Sequence, residues 1–157
     1  MRIGFKLDRW YVHPEIPWLA PGALQGAALL DLRAPENLVS VYEVDDAANV
    51  ERIAMAIAAG RDDLDTVGVA IFDGDAVSAV GIQMESTRGT TADDVVNGLH
   101  RRLYQLTARQ LVDLAGVIAQ GWMMEILKKR VRELIKAGLG SKQLDRTRVS
   151  KKLLTKL

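Results

Sequence analysis

The sequence predicts an α+β fold: a small, largely antiparallel sheet with helices, its elements in the order βββαββ, followed by a C-terminal helical region. Three observations carry this. Short apolar or alternating runs crowd the first 84 residues, as strands do. One amphipathic stripe, Val50, Ile53, Ala54, Ile57 and Ala58, interrupts them at helical spacing. From Thr91 onward the apolar residues recur at helical intervals, which segregates the later helices from the strands. The polar stretch Glu85–Thr90 is the best internal boundary, dividing an α+β sheet domain over 1–89 from a helical region over 90–157 with a basic C-terminal segment.

Arg2–Leu7 alternates charge with Ile3, Phe5 and Leu7 and reads as a half-buried strand. Asp8–Gly26 holds three of the four prolines, with Trp10, Tyr11 and Trp18, and cannot be regular throughout, because each proline removes a donor and fixes the backbone. Its rings suit a lid over a core edge or a binding surface. Ala27–Arg33 and Leu38–Val44 flank Ala34–Asn37, a pattern that predicts a hairpin with a four-residue loop. Asp45-Asp46 supplies a cap and negative charge for a helix from about Ala47 to Gly60.

Thr66–Phe72 is apolar nearly throughout and predicts a central strand. Asp73-Gly74-Asp75 would turn it back into a strand over Ala76–Met84. Val95, Leu99, Leu103 and Leu106 predict a helix over Thr91–Leu106. Thr107, with Gln110 three residues on, forms a capping box that opens the next helix. Its stripe, Leu111, Leu114, Ile118, Trp122 and Ile126, runs on through Lys128–Lys136 despite Gly116 and Gly121. The Gly138-Leu139-Gly140 turn should end it, and Ser141 should cap a last helix, an outline that resembles a helix-turn-helix.

Composition narrows the chemistry. The 157 residues are 48% apolar and 26% charged, enough for a core without staples. The absence of cysteine excludes disulfides, thiol catalysis and thiolate metal sites, and two histidines, His13 and His100, cannot make a multi-histidine centre. His100 reads as a solvated helix-face residue and His13 as a loop histidine. No apolar run suits a signal peptide or a membrane span, so the expectation is a cytoplasmic protein without membrane contact. Phosphate-loop, dinucleotide-turn and nucleophile-elbow patterns are absent.

The net charge of +1 conceals a division. Residues 1–127 hold 10 Lys/Arg against 18 Asp/Glu, and residues 128–157 hold 11 against Glu133 and Asp145, giving −8 and +9. On a helical wheel Lys128, Lys129, Arg132 and Lys136 share about 100° of arc, and Leu127, Val131, Leu134 and Ile135 occupy another arc of about 100°. Lys142, Arg146, Arg148, Lys151, Lys152 and Lys156 continue the charge. Phosphates bind such a surface by counterion release. The apolar stripe Leu144, Val149, Leu153, Leu154 and Leu157 needs a surface to pack on: the protein's own body, a second copy or another subunit.

The acidic clusters Asp45-Asp46, Asp62-Asp63-Asp65 and Asp93-Asp94 are explained as caps and solvating charges. Three other carboxylates weigh together: Asp8 after the first strand, Glu51 in the first helix and Asp73 after the fourth strand. Strand–strand–strand–helix–strand with acids at these places resembles the ribonuclease H-like nuclease fold over residues 1–73. That resemblance implies a pair of divalent metals, Mg²⁺ or Mn²⁺, held for phosphodiester hydrolysis. Asp73 is equally accounted for as the first residue of a tight turn.

The reading that follows is a non-enzymatic subunit or accessory protein of a larger assembly, without a cofactor. It meets a protein partner or its own copies, and Lys128, Lys129, Arg132, Lys136, Lys142, Arg146, Arg148, Lys151 and Lys152 contact nucleic acid or an acidic protein. The nuclease using Asp8, Glu51 and Asp73 is the alternative, and an inhibitor or immunity-type protein acting through the acidic body is a third.

Overall fold

Among the described residues, thirteen regular helices and strands build the fold. The structure, a computed structural model, describes residues 1–5, 9–10, 23–32 and 35–157. Asp8, His13 and most of the aromatic, proline-rich segment lie outside the described residues. Strand β1 is Arg2–Phe5, α1 Leu29–Leu32, β2 Val39–Tyr42, α2 Ala47–Ala59, β3 Val67–Ile71, α3 Gly74–Ala79 and β4 Gln83–Ser86. Then follow α4 Asp94–Gly98, β5 His100–Tyr104, α5 Ala108–Ala119, β6 Trp122–Ile126, α6 Lys128–Gly140 and α7 Lys151–Leu154. The class is α+β, as expected, and every strand pairing among the described residues is antiparallel. The strands form two sheets rather than one, ordered β1-β3-β6 and β2-β5-β4.

The first sheet is the middle layer. On one face Val67, Val69 and Ile126 pack with Ile53 of α2, Val131 and Ile135 of α6, and Leu144, Val149 and Leu153 of the C-terminal segment. On the other, Ala70 and Met123 meet Val39, Val41 and Leu103 of the second sheet, with Leu114 and Ile118 of α5. β3 is central and buried through four of its five residues, as its apolar run predicts.

Local signals explain several boundaries. The Asp46 carboxylate accepts from Asn49 N at 2.9 Å and starts α2, and Gly60 stops it. Thr107 and Gln110 form the reciprocal capping box at α5.

Other elements depart from expectation. Gly26–Leu32 is a 3₁₀ turn running into α1, not a strand. Its Ala-Ala-Leu-Leu-Asp-Leu contains no β-branched residue, and Ala28 and Leu32, four apart, share the buried side. Asp73 does not turn a hairpin: its carboxylate accepts from Asp75 N at 2.9 Å and caps α3, and the chain reaches β4 only after Gly81 at φ +74°. An Asp-Gly pair serves a primed turn or a helix start equally well.

Thr91–Leu106 is a short helix and a strand rather than one helix. Gly98 ends α4, and Leu103, fully buried, points inward from β5 opposite Val39. Asn97 holds the entrance, accepting from Thr91 N at 2.7 Å and donating to Thr91 O at 3.0 Å. The stripe after Thr107 also breaks. A Cβ on Gly121 would lie 2.2 Å from Ile71 O, so glycine lets the chain turn tightly against β3 into β6. Segment 90–157 therefore contributes two strands, and both pair with strands that precede residue 90.

Helix α6 is a separate element that runs through Gly138-Leu139-Gly140. Gly138 packs against Met55 and Leu144, and Lys142 leaves the helix at φ +61°. The last helix starts at Lys151, capped by Ser150 rather than Ser141, so the helix-turn-helix outline is not formed. Asp145 N donates to Ala92 O at 2.7 Å and Ser150 N to Ala59 O at 2.9 Å, which ties this segment to the body. No helix among the described residues is long and apolar enough to cross a membrane.

Candidate functional site

Helix α6 stands on α2 through Val131, Ile135 and Gly138, which fixes which of its faces reaches solvent. At 100° per residue these three span 60° of arc, and Lys128, Lys129, Arg132 and Lys136 fall on an exposed arc beside them. None of these four cations has a carboxylate within ion-pair distance among the described residues. Lys128, Arg132 and Lys136 succeed one another four residues apart, so like charges stack along one row. The helix also begins with Lys128-Lys129-Arg130 and has no side-chain cap at Leu127. Cations there oppose the positive end of the helix dipole. Lys128 and Arg132 line a depression of about 390 Å³ with Asp63, Asp65 and Lys156.

Arg130, the neighbour of these cations, has a different role. Its Nε and Nη2 donate to the two Glu51 oxygens at 2.9 and 2.6 Å. This fork clamps α6 to α2, and the hydrogen bond from Arg130 holds the Glu51 carboxyl below its usual range.

The remaining basic residues divide. Arg148 donates to Asp94 at 2.9 Å and lies 3.3 Å from Asp145. Lys152 lies 3.9 Å from Asp62, and Lys156 pairs with Asp63. Asp63 and Asp94 are held below the ordinary carboxylate range, first by the hydrogen bonds from Lys156 and Arg148 respectively. Lys142, Arg146 and Lys151 are exposed and have no such partner among the described residues. The acidic body thus pairs with Arg148 and Lys152 of the nine expected contact residues, and among the described residues it places no carboxylate within ion-pair distance of the α6 cations, Asp63 acting on Lys128 only from farther off. No periodicity in the sequence announces the pairing of Asp62 and Asp63 with Lys152 and Lys156.

Of the three carboxylates in the nuclease reading, Glu51 faces Arg130, Asp73 caps α3, and Asp8 lies outside the described residues. A helix separates β1 from β2 and another separates β2 from β3, so the element order behind the resemblance is not the order of this fold. Among the described residues no group of three or more His, Asp or Glu is placed to hold a metal ion.

His100 is not a solvated helix residue. It lies in β5, 7% exposed, with Nδ1 2.7 Å from Thr87 Oγ1 and its ring edge-on to Tyr42 at 5.1 Å. Burial pushes its pKa down, and Arg102 and Arg101 push the same way.

A further pair went unread in the sequence. Arg52 of α2 donates to both oxygens of Asp93, at 2.6 and 2.9 Å, and Asp93 is 1% exposed. Asp93 also accepts from Val95 N and Val96 N, so one carboxylate caps α4 and anchors it to α2.

Comparison with known proteins finds no matching family model, no matching curated protein and no matching solved structure. The functional reading therefore rests on the site.

Proposed function

We propose that the protein is a non-enzymatic subunit or accessory protein of a larger assembly, and that the α6 face binds an anionic partner, either nucleic-acid phosphates or an acidic protein surface. One observation supports this above others: Lys128, Lys129, Arg132 and Lys136 stand exposed on one arc with no carboxylate within ion-pair distance among the described residues. Stacked like charges at a helix start that opposes them cost stability, and an external anion relieves that cost. The body holds acids able to neutralise cations and does so for Arg148, Lys152 and Lys156. Leu127, 63% exposed, lies at the entry to the same helix and adds an apolar margin suited to protein contact.

The test is a titration of labelled DNA and RNA at two salt concentrations, beside a variant carrying K128E, R132E and K136E. Contact with about four phosphates gives a slope of log K against log salt of about −3 to −4. The triple variant should abolish it. No binding to either nucleic acid at low salt removes the phosphate partner. Capture of native partners by wild type and variant alike would overturn the α6 assignment as a whole.

A further inference from the structure

The two sheets part where β2 and β3 end, and the gap between them is a cavity of about 290 Å³. Its wall is apolar: Val41, Ile71, Phe72, Val77, Met84 and Leu103. A shallower depression of about 210 Å³ shares Val44, Asp45 and Ile71 with it and reaches Asp46 and Trp122. Two large apolar side chains on this cleft stay open to water, Met84 at 43% and Trp122 at 59% exposure. A compact concave apolar surface with a few polar groups at its rim is the usual form of a small-ligand site, and this one lies at the small end of that range.

The rim decides the charge of the ligand. Arg101 looks like an anion receptor but is already committed. Its Nε and Nη2 donate to Glu43 at 2.9 and 2.6 Å, and its Nη1 to Gly98 O and His100 O at 3.0 and 2.9 Å. It cancels Glu43 and offers nothing further. Asp45 lines both parts of the cleft, Asp46 the shallower part, and neither has a cationic partner among the described residues. The Met1 α-amino group also lines the cleft, but it donates to Tyr42 O at 2.7 Å and burial lowers its pKa to about 6, so above neutral pH it is mostly uncharged. The cleft then joins an apolar chamber to a negative rim at Asp45 and Asp46 beside an exposed indole, and an indole face attracts cations.

We propose that this cleft binds a small organic cation: a primary amine on an aromatic or branched aliphatic body, the body between the sheets and the ammonium at Asp45. The site is separate from the α6 face and does not depend on the function proposed for it.

Phenethylamine is a suitable probe, with 3-phenylpropionate as a counterpart of similar shape and opposite charge. Calorimetric titration of the full chain, with amide chemical shifts as the second readout, should give saturable binding of the amine that moves Asp45, Ile71, Phe72 and Trp122. The propionate should not saturate. Asp45→Asn, at an exposed position that leaves the fold alone, should weaken the amine about fivefold, as loss of a surface ion pair does. The α6 triple variant should bind the amine as wild type does. Equal binding of both probes, or amine binding that leaves these amides unmoved, would overturn the proposal, as would an affinity unchanged in Asp45→Asn.

Discussion

Two glycines show how far a single Cβ matters. At Gly121 it would meet the Ile71 carbonyl at 2.2 Å, and neither backbone can yield. Gly121→Ala should cost about 2–3 kcal/mol, read from the midpoint of urea unfolding. At Gly138 the nearest atom is Met55 Sδ at 2.7 Å, on a flexible side chain, and alanine also improves helix propensity by up to about 1 kcal/mol. Gly138→Ala should therefore cost clearly less than Gly121→Ala. His100 sets a pH dependence. Its pKa in the folded protein is lowered from 6.5, so the unfolded chain binds the proton more readily. The stability it contributes is present above about pH 6.5 and is lost as the pH falls through the lowered value. A plot of Tm against pH from 7.5 to 5 should slope less in His100→Gln than in wild type.

Elements are held by caps and by the polar links between them. Arg52→Met would leave the buried Asp93 carboxylate without its charge partner, and should cost about 3 kcal/mol in chemical unfolding. Caps of this kind were legible at α2 and α5, because Asp46 and the Thr107–Gln110 box are local signals that need no tertiary partner. The strands β5 and β6 were not. Leu99, Leu103 and Leu106, or Leu114, Ile118, Trp122 and Ile126, fit a helical period as sequences, and only the approach of β3 to Gly121 and of Val39 to Leu103 selects extended backbone. The α6 cations were legible because they share one helix face. The sheet-to-sheet cleft was not, since residues as distant as Val41, Ile71 and Leu103 form its wall.

For the whole molecule, the opposed charges of the acidic body and the basic C-terminal segment do not by themselves hold the two together. Leu144, Val149 and Leu153 are buried in the same core as α2 and β3, and Leu154 and Leu157 pack against it. The apolar stripe expected to need a surface finds it on the protein's own body. The ion pairs above it are exposed and screened by salt. Raising NaCl from 0.05 to 0.5 M should leave Tm nearly unchanged, whereas Leu153→Ala should cost about 2–4 kcal/mol in denaturant titration. A large fall of Tm in salt would mean that the charges do the holding.

Strand β3 is a party wall. Val67 and Val69 furnish one room and Ala70 the other, so neither interior can be emptied while its neighbour stays standing. Heat should collapse both at once, and a calorimeter should record a single peak from a chain whose residues, read in order, suggested two tenants.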